Sequence, residues 1–491
     1  MIIQKNLAKK FEDFYMEKFP NNQIAHAFIP KKSIYTNVKK HVRKKYIIHL
    51  DLKDFFPSFH FGRIKGFFEK NNFFLFNEKL SIQMANLLCY KGKLPQGAPT
   101  SPIITNFICQ SMDYYISKLC SEYHLLYTRY ADDLIFSTND KKIVVMYDDF
   151  NTKVNKIVKK CGFIINEDKT KFVGFNERHL VTGLVINQKI NYSLDFYKKT
   201  RAMAYYFYKN KLVFIDEKNI SKYAIEGRFS FICQTMKINR TEERAEKGNL
   251  NSRLNEYRKF IFFTRFYSMD KPLVITEGKT DPKYIKAALI HFKNDYPSLI
   301  KEVDGKYIYS FSFFNRTDNI LRFFKCQRDG ADAITTLTKF FYDAKSKDTY
   351  MINLYSYFYK ICGYKPNFPI ICIYDNETRC KDKPLAKLIK NTGLYLNSDG
   401  YTQLYDSNMF ILPIPNNGVD KDIEIEDLFL SEVLDIEIGG RKFDRKTEKG
   451  SDTTFGKKVF ANYVYDNLQT INFDKFKPLL DKIVSIIKKY N

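Results

Sequence analysis

Two adjacent carboxylates, Asp132 and Asp133, stand between the runs Leu125-Leu126-Tyr127-Thr128 and Leu134-Ile135-Phe136-Ser137. That pattern predicts a β-hairpin over 125–137 with both acids at its turn. Like charges this close repel, and a bound divalent cation removes the penalty. A third acid, Asp51, lies near the end of the strand-like run Tyr46-Ile47-Ile48-His49-Leu50-Asp51-Leu52. Asp51, Asp132 and Asp133 together suit a two-metal site for nucleotidyl transfer. One Mg²⁺ would activate a 3′-hydroxyl and the other would hold a triphosphate and its leaving group. Mg²⁺ takes a few carboxylates plus water and phosphate oxygens, and the Leu52 carbonyl could add a ligand.

A second acidic set lies downstream. Leu273-Val274-Ile275-Thr276 reads as a short buried strand followed by Glu277-Gly278-Lys279-Thr280-Asp281, with a helix starting near Pro282. Phe368-Pro369-Ile370-Ile371-Cys372-Ile373-Tyr374 reads as another buried strand, ending in Asp375-Asn376-Glu377. Strands that end in acids, with helices between them, predict a parallel sheet with a site at its carboxyl edge. Glu277, Asp281, Asp375 and Glu377 would hold Mg²⁺ or Mn²⁺ there. Lys279 and Arg379 either hold phosphate or solvate their loops.

The positioning elements follow from periodicity and breakers. A helical stretch runs from the first strand to about Cys89. Gly92 to Pro102 is a Gly- and Pro-rich loop, and Ile103 to Leu119 a long buried helix. A helix is expected at about 144–160, with strands at 163–165 and 180–185. Residues 192–265 read as helical and basic, with Arg228, Lys237, Arg240 and Arg244. A boundary is expected near 266–271.

The chain has 491 residues, room for two or three domains. Lys and Arg number 80 against 55 Asp and Glu, a net +25 that favours a polyanionic partner such as nucleic acid. Nine Cys without a CxxC pair, and seven His without ligand spacing, argue against zinc and against a disulfide framework. No apolar run nears the ~20 residues of a membrane span, and no signal core opens the chain. A reducing cytoplasm is the expected compartment, with no membrane partner.

In order, Asp51-Leu52-Lys53-Asp54-Phe55-Phe56, Gln96-Gly97-Ala98-Pro99-Thr100-Ser101-Pro102, Tyr130-Ala131-Asp132-Asp133 and Asn166-Glu167-Asp168-Lys169-Thr170 resemble the palm motifs of reverse transcriptases. Asn37-Val38-Lys39-Lys40-His41 resembles the NAxxH motif of the retron type, and Val181-Thr182-Gly183 its VTG motif. The resemblance covers roughly residues 20–260. It implies a right-hand α+β polymerase, with fingers and palm at 1–190 and a helical thumb at 191–268. It also implies Asp51, Asp132 and Asp133 as catalytic metal ligands and Phe56 as the gate against a ribose 2′-hydroxyl. Gln96 and Gly97 would line the nucleotide and template, with Lys169 near the triphosphate or acting as general acid. Asn37, His41, Val181, Thr182, Gly183 and Arg228 would serve RNA binding, although His41 could instead brace a loop. In that family, finger strands precede the segment with which this chain starts, so Lys31, Lys32 or Arg43 would meet the triphosphate. His49 and His60 have no role legible in the sequence.

The remainder, 269–491, resembles a Toprim domain, an α/β module with a parallel sheet and a helical C-terminal extension. Glu277 would be its general acid or base, and Asp375 and Glu377 its acidic pair, with Glu where the family has Asp. Asp281 resembles the acid of nuclease members, and Glu426 in Ile425-Glu426-Asp427-Leu428-Phe429 could add a ligand. The whole then resembles a retron fusion. It would use dNTPs to copy part of a structured msr-msd RNA into branched msDNA, primed from a guanosine 2′-hydroxyl. A nuclease effector for antiphage defence would act on a nucleic-acid target, in a homo-oligomer with bound msDNA. The alternatives are a nucleic-acid scaffold with an inactive polymerase half, and a reverse transcriptase of another lineage.

Overall fold

The computed structural model describes residues 2–215, 217–239, 250–327, 330–343, 352–416, 418 and 421–490. The chain divides into two compact units. The first is Met1–Lys198 with Ile232–Glu242, and the second Lys199–Phe231 with Glu243–Asn491.

In the first unit the helices are α1 (Ile2–Lys18), α2 (Ile34–Lys39), α3 (Phe61–Lys70), α4 (Glu78–Leu88), α5 (Ser101–Glu122) and α6 (Ile143–Lys160). Its antiparallel sheet has the order β2-β3-β1-β4, from β1 (Tyr46–Asp51), β2 (Leu126–Tyr130), β3 (Asp133–Thr138) and β4 (Lys171–Val173). Alternation along the strands sends Ile48, Leu50, Leu134 and Phe136 into the core with residues of α5 and α6. Ile47, His49 and Asp51 therefore take the opposite face. The run 163–165, expected as a strand, makes only an isolated bridge between Leu52 and Ile165. The ladder position beside β1 goes to β4 instead. Residues 180–185, expected as one strand, are a tight hairpin of β5 (Leu180–Val181) and β6 (Leu184–Val185).

Helices α7 (Leu194–Asn210) and α8 (Lys222–Ile238) each pass from one unit to the other, with a short hairpin of β7 (Phe214–Ile215) and β8 (Lys218–Asn219) between them. The thumb expected at 191–268 is thus divided, and the units do not part near 266–271. The cause is aromatic packing inside the second unit. Ring pairs Tyr208–Phe358 at 4.9 Å, Tyr257–Phe323 at 5.0 Å and Phe262–Phe341 at 5.0 Å join thumb residues to later helices. Arg240 and Arg244 lie outside the described residues.

Beyond α9 (Ser252–Phe262), the second unit is built on a five-stranded sheet of order β12-β9-β13-β15-β14. Its strands are β9 (Leu273–Ile275), β12 (Ser312–Phe313), β13 (Ile370–Tyr374), β14 (Thr402–Gln403) and β15 (Met409–Pro413). A hairpin of β10 (Ile300–Val303) and β11 (Lys306–Tyr309) stands apart. All neighbours in the large sheet pair parallel except β14 with β15. Helix α10 (Asp281–His291) follows β9, and residues of helices 457–466 and 477–490 join its core. Among the described residues no helix is long and apolar enough to cross a membrane.

Candidate active site

The β2–β3 hairpin closes on Ala131 and Asp132, because Tyr130 and Asp133 are its last paired residues. Ala131 sits at φ 57°, the left-handed region that turns of this kind need. Across the sheet Asp51 is the register partner of Asp133. The Leu52 amide donates to the Asp132 carbonyl at 3.0 Å. The structure therefore brings Asp51, Asp132 and Asp133 to one end of the sheet, with Asp51 buried. Burial, followed by the Asp133 and Asp51 carboxylates, raises the pKa of Asp132.

Two side chains already meet these carboxylates. Lys169 Nζ donates to both Asp51 carboxylate oxygens at 3.2 Å, which raises the lysine pKa. His49 Nε2 lies 3.2 Å from Asp133 Oδ1. Asn166 adds its backbone amide to the Asp51 carbonyl at 2.8 Å. The sequence marked neither His49 nor Asn166 as part of the site, although the period of two puts His49 on the face of Asp51. Among the described residues no three His, Cys, Asp or Glu side chains close around one point as ready metal ligands. The donor chemistry still fits Mg²⁺: three carboxylates raise one another's energy, and a divalent ion would replace Lys169 as their counter-charge.

The nucleotide-lining candidates lie around this end. Phe56 is half-buried, with its ring 5.4 Å from Phe55 and 6.2 Å from Phe28. Gln96 and Gly97 are exposed, in a loop closed by Ser101 Oγ donating to the Pro95 carbonyl at 2.7 Å. Gly97 has φ 92°, which favours glycine there. Lys32 is turned inward, donating to the Ala25 carbonyl at 2.7 Å, and Arg43 Nε donates to the Gln188 carbonyl at 3.0 Å.

The residues assigned to RNA divide differently. Asn37 and His41 are fully buried and offer no surface to RNA. His41 Nδ1 meets Ser137 Oγ and Nε2 meets Thr128 Oγ1, both at 2.7 Å, while Thr128 Oγ1 donates to Asn37 Oδ1. Thr128 and Ser137 belong to β2 and β3, so both residues brace the hairpin that carries Asp132 and Asp133. Burial pushes the His41 pKa down to about 3. Val181 is buried too, whereas Thr182 and Gly183 form the β5–β6 turn at φ 44° and 81°. That turn lines a cavity of about 620 Å³ together with His49, Asp133, Lys171 and Asp195. Arg228 is half-buried and donates from Nε to Thr200 Oγ1 at 3.0 Å.

In the second unit Glu277, Asp281, Asp375 and Glu426 gather at the carboxyl edge of β9 and β13. The Asp375 amide donates to Glu277 Oε1 at 3.0 Å, and the Gly278 amide to Asp281 Oδ2 at 2.8 Å. Burial, then Asp281 and Glu377, push the Glu277 pKa up to about 8. Burial, then Glu277, Asp281 and Glu426, raise Asp375 well above the usual range. Glu426 is fully buried; no well-aligned hydrogen bond reaches its carboxylate, although Lys457 Nζ is 3.0 Å away. Glu377 pairs with Lys383. Buried, mutually repelling carboxylates with open lone pairs fit a divalent cation. Arg316 donates to the Thr276 and Glu277 carbonyls at 2.7 and 3.2 Å and holds the loop that carries Glu277.

Residues 2–200 match the family model described as "Reverse transcriptase (RNA-dependent DNA polymerase)". Those residues are similar to reverse transcriptases. Similar proteins include the Retron Ec86 reverse transcriptase of Escherichia coli, 34% identical over 44% of this chain. The Retron Mx162 and Mx65 reverse transcriptases of Myxococcus xanthus are 35% and 30% identical over 35% and 40% of this chain. The matches span 64%, 40% and 49% of those relatives' own lengths, under two thirds in each. The matched residues are thus similar to retron reverse transcriptases, and the second unit lies mostly beyond them.

Proposed function

We propose that the protein is a retron reverse transcriptase fused to a Toprim-type nuclease. The first unit would copy part of a structured msr-msd RNA into branched msDNA, using dNTPs and two Mg²⁺. The observation that carries this reading is the register pairing of Asp51 with Asp133, which sets three carboxylates around one hairpin turn. Mg²⁺ bound there would lower the cost of deprotonating the priming hydroxyl and of the charge on the leaving pyrophosphate. Asp51, Asp132 and Asp133 would hold it. Lys169, released from Asp51, can protonate or neutralise the leaving group, and the Phe56 ring can exclude a 2′-hydroxyl. Thr182 and Gly183 border the cavity beside Asp133, where the end of a priming strand would lie.

In the second unit Glu277, Asp281, Asp375, Glu377 and Glu426 would hold Mg²⁺ or Mn²⁺ for phosphodiester hydrolysis. Glu277, with its pKa near 8, can keep or give up a proton close to neutral pH. The nuclease would serve antiphage defence in the bacterial cytoplasm, restrained by the msDNA in a homo-oligomer.

Primer extension on the native RNA tests the polymerase half. Wild type should make DNA, and Asp51→Asn should make none while binding RNA with unchanged affinity, because phosphate contacts elsewhere carry that affinity. Wild-type protein that binds the RNA yet extends nothing would leave a scaffold with an active second unit.

A further inference from the structure

A buried ion pair stands directly behind the catalytic turn. Arg129, on β2, is fully buried, and so nearly is Asp113 of α5. Arg129 Nε donates to both Asp113 oxygens at 2.9 and 3.1 Å, and Nη2 donates to Asp113 Oδ2 at 2.9 Å. Of the three N–H groups that remain, two reach further partners. Nη2 also reaches Asn106 Oδ1 at 3.1 Å, and Nη1 reaches the Ala131 carbonyl at 3.3 Å. Asp113 Oδ1 accepts from Tyr127 as well, and Asn106 Nδ2 donates to the Ala27 carbonyl at 3.0 Å.

The placement matters more than the number of bonds. Ala131 is the left-handed residue of the turn, and Asp132 and Asp133 follow it directly. A non-glycine residue stays in that conformation only where its surroundings hold it. Asp113 and Asn106 lie on the helix that begins right after the Gln96-Gly97 loop. One guanidinium therefore ties the helix behind the nucleotide loop to the carbonyl of the acid-bearing turn. A lysine could keep the charge against Asp113 but lacks the planar fork that reaches three partners at once.

We propose that Arg129 is a positioning residue for metal capture: its fork on Asp113, Asn106 and the Ala131 carbonyl sets Asp132 and Asp133 against Asp51. The proposal rests on the polymerase reading above. It touches neither metal nor substrate itself.

The test uses the full chain. For Arg129→Lys we expect kcat for nucleotide addition to fall about 100-fold with KM for dNTP nearly unchanged, as a misplacement near 1 Å does. Mn²⁺ affinity of the first unit should weaken about tenfold, read by electron paramagnetic resonance of free Mn²⁺ with Glu277→Ala and Asp375→Asn silencing the second site. Asn106→Ala leaves the ion pair whole and serves if Arg129→Lys does not fold; it should lose about tenfold in kcat. Val158→Ala, a buried change in α6, controls for loss of stability at matched Tm. Wild-type kcat and Mn²⁺ affinity in folded Arg129→Lys, or in Asn106→Ala, overturns the proposal, as does an equal loss in Val158→Ala. If wild type makes no DNA, the polymerase reading fails by itself; weaker Mn²⁺ binding in Arg129→Lys would still support the positioning role.

Discussion

Lys169 shows how one side chain can serve two states of a site. Its side chain is 60% exposed, and its ammonium spans both oxygens of a buried carboxylate. A pair this open to solvent adds only about 0–1 kcal/mol to stability. In the polymerase proposed above its value would lie in chemistry: an ammonium released from Asp51 would stand near the charge of a leaving group. Lys169→Ala should leave the urea midpoint almost unmoved while lowering the rate of nucleotide addition about 100-fold, the range for a lost general acid. Rapid-quench kinetics beside equilibrium unfolding checks both halves. A wild-type rate would remove the lysine from the mechanism. His49 belongs at this scale too. It was invisible as a functional residue because a lone histidine in a strand carries no motif, and only the pairing of β1 with β3 sets it beside Asp133.

At the scale of elements, α2 and the acid-bearing β2–β3 hairpin behave as one piece. His41 joins them through Thr128 and Ser137, and burial keeps the imidazole neutral. An unfolded histidine takes its proton near pH 6.5, while the folded one resists until about pH 3. The unfolded chain therefore binds the proton first as pH falls, so this contribution is intact above about 6.5 and is lost on the way down to 3. His26, pushed down to about 4 by burial and Lys32, adds in the same direction. His41→Gln should lower stability at pH 7 by about 1–3 kcal/mol, the cost of disturbing a buried hydrogen-bonded group, and should flatten the fall between pH 6.5 and 4.5. Urea titrations at stepped pH would read this, and an unchanged pH slope would deny His41 the part. Much of this element was legible: acids at a turn, an apolar strand of period two, and a Gly- and Pro-rich loop before a long helix. The inward direction of Asn37 and His41 was not, because polar residues in a lysine-rich stretch read as surface until Thr128 and Ser137 are seen to meet them. Arg129 and Asp113 were hidden for the same reason, since charged residues are rarely buried unless paired and the pair is 16 positions apart. The thumb was misdivided because Tyr208, Tyr257 and Phe262 carry no mark of which later ring they will meet.

For the whole molecule, the two units should answer pH with opposite signs. Glu277 has a folded pKa near 8 against 4.5 for the ordinary side chain, raised by burial and by Asp281 and Glu377. The folded state holds its proton longer, so this contribution is full below pH 4.5 and is lost as pH rises through about 8. Asp375 works in the same direction. In metal-free buffer the second unit should therefore weaken as pH rises toward about 8, where His26 and His41 of the first unit are already neutral. Divalent metal should reverse this by replacing the proton as counter-charge. With EDTA, calorimetry should show the transition of the second unit moving down as pH rises, and Glu277→Gln should flatten that movement. Adding Mg²⁺ should lift the wild-type transition at pH 8 by about 2–4 °C for each kcal/mol of binding, and lift the variant less. The same variant separates the units in function. It should keep RNA-directed DNA synthesis and lose any nuclease activity, while RNA affinity in both proteins falls steeply with salt, as a +25 chain held by phosphates requires. A second unit that gains stability from pH 6 to 9 without metal would mean that its acids are solvated and well separated, and the nuclease would lose its physical basis.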